Sequence, residues 1–420
     1  MDHGDPGSVE ETQGPRENDG SLGHQHAGPL SGIRVIELAN HLAAPTVGMY
    51  LADYGADVIK VESPGVGDEL RRWGGSRDGV GLYFKVVNRN KRLVTADLRT
   101  PIGVEIVKRL VEDADVVVEN FRPGTLARWG LDYDDLCAVK SDLIMLKVTG
   151  FGQTGPYSHR PGFGTLSEAY SGFAYTNGYP ERPPLLPGFG LADATTGLMG
   201  AFLVLVALAE RANSGCGQVI DLALYETLYT LLGPHVIEFD QLGIIQQRSG
   251  SRLPFTAPRN TYETADGRWV AISGSTQGTF ERICAALGIS EVVGDPRFSS
   301  NRSRIENSEE LDRAIASAVG GYPLDTLVER FDTFDAPLSQ AYSVDRTFSD
   351  PHYIARETVV SVDDDELAGP VRMQNVVGRL SRTPGAIRWA GESKGRHNRQ
   401  ILIDELGFDQ DDLGNAGMPL

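Results

Sequence analysis

Residues 32–62 read GIRVIELANHLAAPTVGMYLADYGADVIKVE. Two short apolar runs, 33–38 and 56–62, are rich in valine and isoleucine. Between them, residues 45–54 carry helical spacing, and Gly55 closes the segment. β-Branched side chains favour strands, and a glycine after the last periodic residue ends a helix. The stretch therefore reads as strand, helix, strand, the unit that joins parallel strands of one sheet. The pattern continues outward. Residues 93–97, 115–119, 143–149 and 218–222 read as further strands. Thr100 and Pro101 supply an N-cap and a first helical residue for a helix to about 112. The alternation predicts an α/β fold with an open, mostly parallel, Rossmann-like sheet covered on both faces.

Composition narrows the possible partners. The 420 residues hold 39 Lys+Arg against 57 Asp+Glu, a formal charge of −18. Such a surface as a whole repels nucleic acid. The apolar run 197–209 is shorter than the ~20 residues of a spanning helix, so it reads as a buried core helix, with no membrane partner. Residues 1–30 have no apolar stretch of the kind a signal peptide needs. The three cysteines, Cys137, Cys216 and Cys284, are far apart. They fit neither a disulfide framework nor a metal cluster, and a reducing cytoplasm is the expected location.

Four regions follow. Residues 1–30 carry Asp2, Asp5, Glu10, Glu11, Glu17 and Asp19 against Arg16, with many Gly, Pro, Ser and Gln. They read as a disordered acidic tail, its His3, His24 and His26 included. Residues 31–248 form the large α/β domain. Within it, 150–192 is rich in Gly, Pro and aromatics and reads as loops around a site, followed by long helices at 193–211 and 225–242. Residues 249–350 form a small α+β domain, opened by a hairpin (261–264 with 269–273) turned at Asp266-Gly267. Helices are expected near 277–287, 307–319 and 323–331. Residues 351–420 are strand and loop, with a final helix at 394–406.

Three features carry candidate chemistry. Gly150-Phe-Gly-Gln-Thr-Gly155 matches a dinucleotide fingerprint. However, Pro156 and the loop-like residues after it offer no helix N-terminus for a pyrophosphate. Lys85, Arg89, Lys91, Arg92 and Arg99 against Asp97 make a local basic cluster in an acidic chain. It reads either as a solvated face or as a seat for a phosphate-bearing small ligand. Asp193 stands where a glycine-rich loop enters a long apolar helix. It reads as an N-cap, or as a carboxylate kept ionised by the helix N-terminus and able to act as a nucleophile. His41, His159, His235, His352 and His397 show no ligand or triad spacing and read as structural or surface residues.

Several segments in order resemble class III CoA-transferases, the formyl-CoA and carnitine CoA-transferase type related to α-methylacyl-CoA racemases. They are Leu30-Ser-Gly-Ile-Arg-Val-Ile-Glu-Leu38, Leu51-Ala-Asp-Tyr-Gly-Ala-Asp-Val-Ile-Lys-Val-Glu62, Asn88-Arg-Asn-Lys-Arg92, Val118-Glu-Asn-Phe-Arg-Pro-Gly124, Gly150-Phe-Gly-Gln-Thr-Gly-Pro-Tyr157 and Gly215-Cys-Gly-Gln218. The likeness runs from about residue 30 to 410. It implies a large sheet domain built from both chain ends, a smaller domain from the middle, and an interlocked homodimer. It places Asp193 at the nucleophile's position and Ala96, Arg99, Asn120, Phe121, Arg122 and Arg128 against coenzyme A.

The resemblance implies transfer of CoA from an acyl-CoA donor to a small carboxylic acid through an aspartyl intermediate, with no metal or tightly bound cofactor. Backbone N–H groups of 193–197 are the expected oxyanion donors. There are departures from the family pattern. Ser63 replaces an arginine near the adenine end, and Leu42 replaces a glutamine near the acyl group, pointing to a more apolar pocket. No consecutive glycines form a lid. Phe163 and Gly164 stand where the racemases place a His-Asp pair, so two-base proton exchange lacks a base. An acyl-CoA racemase and a non-catalytic CoA-binding partner subunit are the alternatives.

Overall fold

The computed structural model describes residues 28–415. The expectations for residues 1–27, the three tail histidines included, lie outside the described residues. Six strands make the main sheet: β1 (Arg34–Leu38), β2 (Asp57–Glu62), β3 (Lys91–Thr95), β4 (Val116–Glu119), β5 (Ile144–Thr149) and β6 (Val219–Ala223). Every neighbouring pair is parallel, and the order is β3-β2-β1-β4-β5-β6. This is the doubly wound order, and its direction reverses between β1 and β4.

Alternate residues of each strand feed two cores. Ile36, Ile59, Val94, Val117 and Met145 face helix α2 (Pro101–Glu112), whereas Val35, Val58, Val116, Val118 and Leu146 face helix α1 (Ala43–Asp53). Burial on both faces explains why the strands read as continuous apolar runs. Thr100 caps α2 as expected, its hydroxyl accepting from Gly103 N at 3.2 Å.

Beyond β5 lie α3 (Gly164–Tyr170), α4 (Leu191–Ser214), α5 (Leu224–Thr230) and α6 (His235–Leu242). The single helix expected over 225–242 is two, because Gly233 takes φ 66° and Pro234 follows it. α4 is also not the fully buried helix expected from its composition. At 24 residues and mean hydropathy 1.9, it is long and apolar enough to cross a membrane by those measures alone. Here Gly197 and Gly200 let one face close onto Thr46 and Val47 of α1, while Leu198, Phe202, Leu205 and Val206 remain exposed.

A second core surrounds β7 (Arg259–Glu263), β8 (Trp269–Ser273) and β9 (Leu338–Gln340), an antiparallel sheet in the order β9-β8-β7. Gly267 turns the first hairpin at φ 73°. Helices Gln277–Leu287, Ser308–Val319 and Leu324–Thr333 cover the sheet through Phe280, Ile283, Leu311, Ile315, Leu327 and Phe331. The chain then makes a hairpin of β10 (Val359–Asp364) and β11 (Gly369–Gln374). It returns to the main sheet, where Ile401 and Leu402 enter the α2-side core. The helix expected at 394–406 is a shorter π-helical segment, Arg399–Glu405.

Four of the five cations of the basic cluster have a different use from either one expected. Arg89 pairs with buried Asp53 at 2.6 Å, Lys85 with Asp364 at 2.7 Å and Glu366 at 2.5 Å, and Arg92 with Asp57 at 2.6 Å and Glu405 at 2.5 Å. Only Arg99 of the five stays on the surface, against Asp97 at 2.8 Å. The cluster seats the C-terminal return. Asn90 Nδ2 donates to Ala386 O, Trp389 Nε1 donates to Lys91 O, and Leu93 N donates to His397 Nδ1, at 2.9, 3.1 and 3.0 Å. The return thus covers the β3 edge, which would otherwise be open to pairing.

Beneath α1 lies an ionic cluster with no exposed side-chain surface. Glu37 of β1 pairs with Lys60 of β2 at 2.9 Å and with Lys91 of β3 at 2.8 Å; Lys60 also meets Asp68 at 2.8 Å. The ammonium groups donate onward to Ala39 O at 2.6 Å and Pro45 O at 2.7 Å, so both ends of the β1–α1 loop are tied to them. Gly48 makes room, since a Cβ there would stand 2.0 Å from the Glu37 carboxylate. Burial lowers the Lys91 pKa to about 8, against the pull of Glu37, whereas Asp68 and Glu37 outweigh burial and raise that of Lys60. Removing Glu37 leaves Lys91 with no carboxylate partner in a low dielectric and Lys60 with Asp68 alone. Glu37→Ala should cost about 3–5 kcal/mol in urea unfolding of the sheet domain. Breaking the exposed Arg302–Glu306 pair with Arg302→Ala should cost less than about 1 kcal/mol. Equal losses would show that the cluster is not the support described.

Candidate active site

In doubly wound sheets, a ligand crevice opens beyond the carboxyl ends of the strands where the order reverses. Here that point lies between β1 and β4, and a cleft of about 290 Å³ occupies it. The β1–α1 loop supplies Asn40, His41, Leu42 and Ala43, and the loop after β4 supplies Asn120, Phe121, Arg122 and Pro123. Thr149, Gly150, Ser158, Arg160 and Phe163 come from β5 and the loop beyond it, and Asp193 comes from α4.

A side-chain amide ties the two sides of the crevice together. Asn120 Oδ1 accepts from Asn40 N at 3.0 Å, and Asn120 Nδ2 donates to Asn40 O at 2.7 Å. Glu119 Oε2 accepts from Phe121 N at 2.7 Å, and burial pushes this carboxyl up to about 7. His41 takes φ 67°, a costly backbone for a residue with a Cβ. Asp68 Oδ1 holds it there by accepting its N–H at 2.9 Å. The imidazole packs 5.0 Å from Trp73 and 6.4 Å from Phe163, and its Nδ1 is buried without a partner among the described residues.

Asp193 is not the N-cap expected. Gly190 takes that place, and Asp193 is the third residue of α4. The helix start also does not keep its pKa low. Burial, then the nearby Glu168 charge, raises it to about 6. Glu168 is itself buried and accepts from Ala192 N at 3.3 Å. Two glycines make the carboxylate's seat. A Cβ on Gly164 would stand 2.2 Å from Asp193 Oδ2, and one on Gly190 would stand 3.2 Å from it. Most of the expected oxyanion donors are occupied. Ala194 N donates to Gly190 O at 2.9 Å, and Thr195, Thr196 and Gly197 lie within the helical ladder. This leaves the N–H of Asp193 itself.

Asp193, Asn120, Phe121 and Arg122 thus share one cleft, while Ala96, Arg99 and Arg128 lie outside its lining. Ala96 follows β3, and its buried side chain belongs to the α2-side core. Arg99 is exposed beyond β3, and Arg128 donates to Thr125 Oγ1 at 3.1 Å on the short helix Thr125–Trp129. Three strand spacings separate β3 from β4, so the segments that carry these cations leave the sheet about 14 Å apart, along its carboxyl rim. The amide of Asn120 is bonded to Asn40 through one donor and one lone pair, which leaves its second N–H and the backbone for a ligand.

Sequence reasoning missed His41, Glu168 and Arg160. The place of His41 directly after β1, the first strand of a doubly wound unit, was the available signal for it. The Gly150–Gly155 run follows β5 but leads into loop rather than helix. Its Gly150 allows contact with Gly162, since a Cβ on Gly150 would meet the Gly162 Cα at 2.5 Å. Backbone contact, not a pyrophosphate, accounts for that glycine.

The geometry agrees with what comparison finds. A relative from Chloroflexus aurantiacus, succinyl-CoA–D-citramalate CoA-transferase, is 45% identical over 92% of this chain and 96% of its own. The beta subunit of succinyl-CoA–L-malate CoA-transferase from the same organism is 39% identical over 90% and 95%. The crystal structure of a CAIB/BAIF family protein from Brucella suis superposes with a TM-score of 0.80 at 35% identity, covering 90% of this chain and all of that one. The profile of CoA-transferase family III matches residues 30–398. A doubly wound sheet with an aspartate-bearing cleft at its switch point, relatives of this identity and a family match across the chain have one reading: the protein belongs to CoA-transferase family III and is a CoA-transferase.

Proposed function

We propose that Asp193 is the covalent relay in transfer of CoA from an acyl-CoA to a carboxylic acid. The observation that carries this reading is the Asp193 carboxylate set between two glycines in the switch-point cleft. Asp193 attacks the donor thioester, and the C–S bond breaks to give an aspartyl acyl anhydride and CoA thiolate. The thiolate then attacks the aspartyl carbonyl, forming an aspartyl–CoA thioester and releasing the donor acid. The acceptor carboxylate attacks that thioester, giving a second mixed anhydride and thiolate. Attack of the thiolate on the acceptor acyl carbon yields the new acyl-CoA and frees Asp193. Each step conserves an activated acyl group, provided water is kept out.

The relatives' names point to succinyl-CoA as donor and short dicarboxylic acids as acceptors. Leu42, Ala43, Phe163 and Leu224 give the cleft an apolar wall suited to the carbon chain of such an acid. Arg99, Arg122 and Arg128 along the rim are suited to the CoA phosphates. The apolar residues left exposed on α4 and α6, among them Phe202, Ile237, Phe239 and Leu242, support burial against a second copy in an interlocked homodimer. A different partner subunit is the rival reading, favoured by the relative that is a beta subunit.

Asp193→Ala should abolish transfer and leave CoA binding intact; near-normal turnover would make Asp193 a structural residue. The pKa of about 6 sets a pH dependence. The nucleophile is the ionised form, so kcat/KM should rise with pH through about 6 and level off above it. Glu168→Gln removes the like charge that helps raise this pKa, so the acidic limb should move to lower pH. An unmoved limb would assign it to another group. Charge-assisted phosphate bonds contribute about 1.5–3 kcal/mol each. Single alanine substitutions at Arg99, Arg122 and Arg128 should therefore weaken free CoA binding by about ten- to hundredfold. Calorimetry showing unchanged affinity in all three would remove the nucleotide from this rim.

A further inference from the structure

Arg160 lines the same cleft as Asp193 but has no part in the relay or in the proposed phosphate rim. It makes no ion pair among the described residues, although most arginines of the sheet domain do. Its guanidinium is nonetheless held in place. The carbon lies 3.7 Å from the centre of the Tyr157 ring, and the backbone N–H of Arg160 donates to the Tyr157 carbonyl at 2.9 Å, closing a turn. The guanidinium carbon sits over the ring, and the edge of the guanidinium meets no carboxylate among the described residues. That edge carries the N–H fork that meets a carboxylate in two parallel bonds.

The chain fixes where this fork can reach. Arg160 precedes Gly164 by four residues, and Gly164 abuts the Asp193 carboxylate. Four residues span at most about 14 Å, a gap that an arginine side chain shortens when it turns into the cleft it lines. Pro161, Gly162 and Phe163 lie between, on the same cleft wall. An acyl group whose carbonyl sits at Asp193 would run past this wall toward Arg160. Unlike the other free cation of the lining, Arg122, which follows β4, Arg160 belongs to the segment that carries Phe163 and Gly164.

From this arrangement we infer that Arg160 is a specificity-determining residue: it takes the distal carboxylate of a dicarboxylic acyl group while the other carboxyl carbon reacts at Asp193. The inference rests on the CoA-transfer reading and goes beyond it by naming the residue that separates diacids from monoacids. An apolar wall accepts the carbon chain of either acid, whereas the guanidinium fork makes charge-assisted bonds that only the second carboxylate of a diacid can accept.

The test compares two substrate pairs in wild type, Arg160→Ala and Arg160→Lys: succinyl-CoA with glutarate, and butyryl-CoA with propionate. In Arg160→Ala, kcat/KM for the diacid pair should fall about ten- to hundredfold, mainly through KM for glutarate. The monoacid pair should be unchanged, and so should free CoA affinity by calorimetry. Arg160→Lys should recover part of the loss, because it restores charge without the fork. Equal losses on both pairs, weakened CoA binding or undiminished diacid transfer would each overturn the inference. A wild-type protein that prefers monoacids would overturn it too, yet leave CoA transfer standing. A wild-type protein with no transfer on either pair would overturn the CoA-transfer reading of this cleft and the inference with it.

Discussion

One carboxylate, Glu37, shared by two buried lysines, is the constraint on which the rest of the site depends. An ammonium group has three donors and no acceptor. Lys60 spends its donors on Glu37, Asp68 and Ala39 O, and Lys91 on Glu37, Asn88 and Pro45 O. An apolar core of the same volume would cost less to desolvate, but it would not grip carbonyl oxygens at both ends of a loop. The grip extends outward. Asp68, fixed by Lys60, accepts the N–H of His41 and so holds a strained residue at the cleft. Local backbone strain of this kind persists only where surrounding structure over-determines it.

The cleft is then built from glycine on one side and amide pairing on the other. Gly164 gives the Asp193 carboxylate space that no side chain could share, and Gly190 leaves it room that a Cβ would crowd. The Asn40–Asn120 pairing fixes the two strand ends across the reversal. Low exposure raises the Asp193 pKa to about 6, which makes the carboxylate more basic than a solvated one and still largely ionised at neutral pH. In the proposed relay, a half-buried carboxylate of this kind is open to substrate and sheltered from bulk water, the condition a chain of reactive anhydrides and thioesters requires.

What was legible in the sequence was whatever depends on local pattern. Doubly buried strands announce themselves as valine and isoleucine runs, and Thr100-Pro101 and Gly267 mark a cap and a turn wherever they occur. The helix break at Gly233-Pro234 was equally local and was overridden by the apolar spacing around it. Long-range pairing was not legible. The basic run 85–99 looks the same whether its charges face water, phosphate or partners near residues 364 and 405; the structure gives Lys85 and Arg92 the last of these and leaves Arg99 on the surface. The apolar face of α4 was read as core because composition gives the amount of hydrophobic surface and not what covers it. At the site, Asp193 stood out through its glycine-rich approach, while Arg160 and His41 stood in loops whose meaning comes only from the cleft they enter.

The C-terminal return that covers the β3 edge also bears on how the molecule is made. Leu93 and His397 pair across 304 positions of chain, and the unit built around β7, β8 and β9 is synthesised between them. At about 5–20 residues per second, strand β3 leaves the ribosome some tens of seconds before the segment that will close it. Through that interval the intervening unit, whose contacts lie among its own helices and hairpin, has all its residues and can complete its core. The sheet domain, although its strands emerge first, is the last part of the nascent chain to be finished.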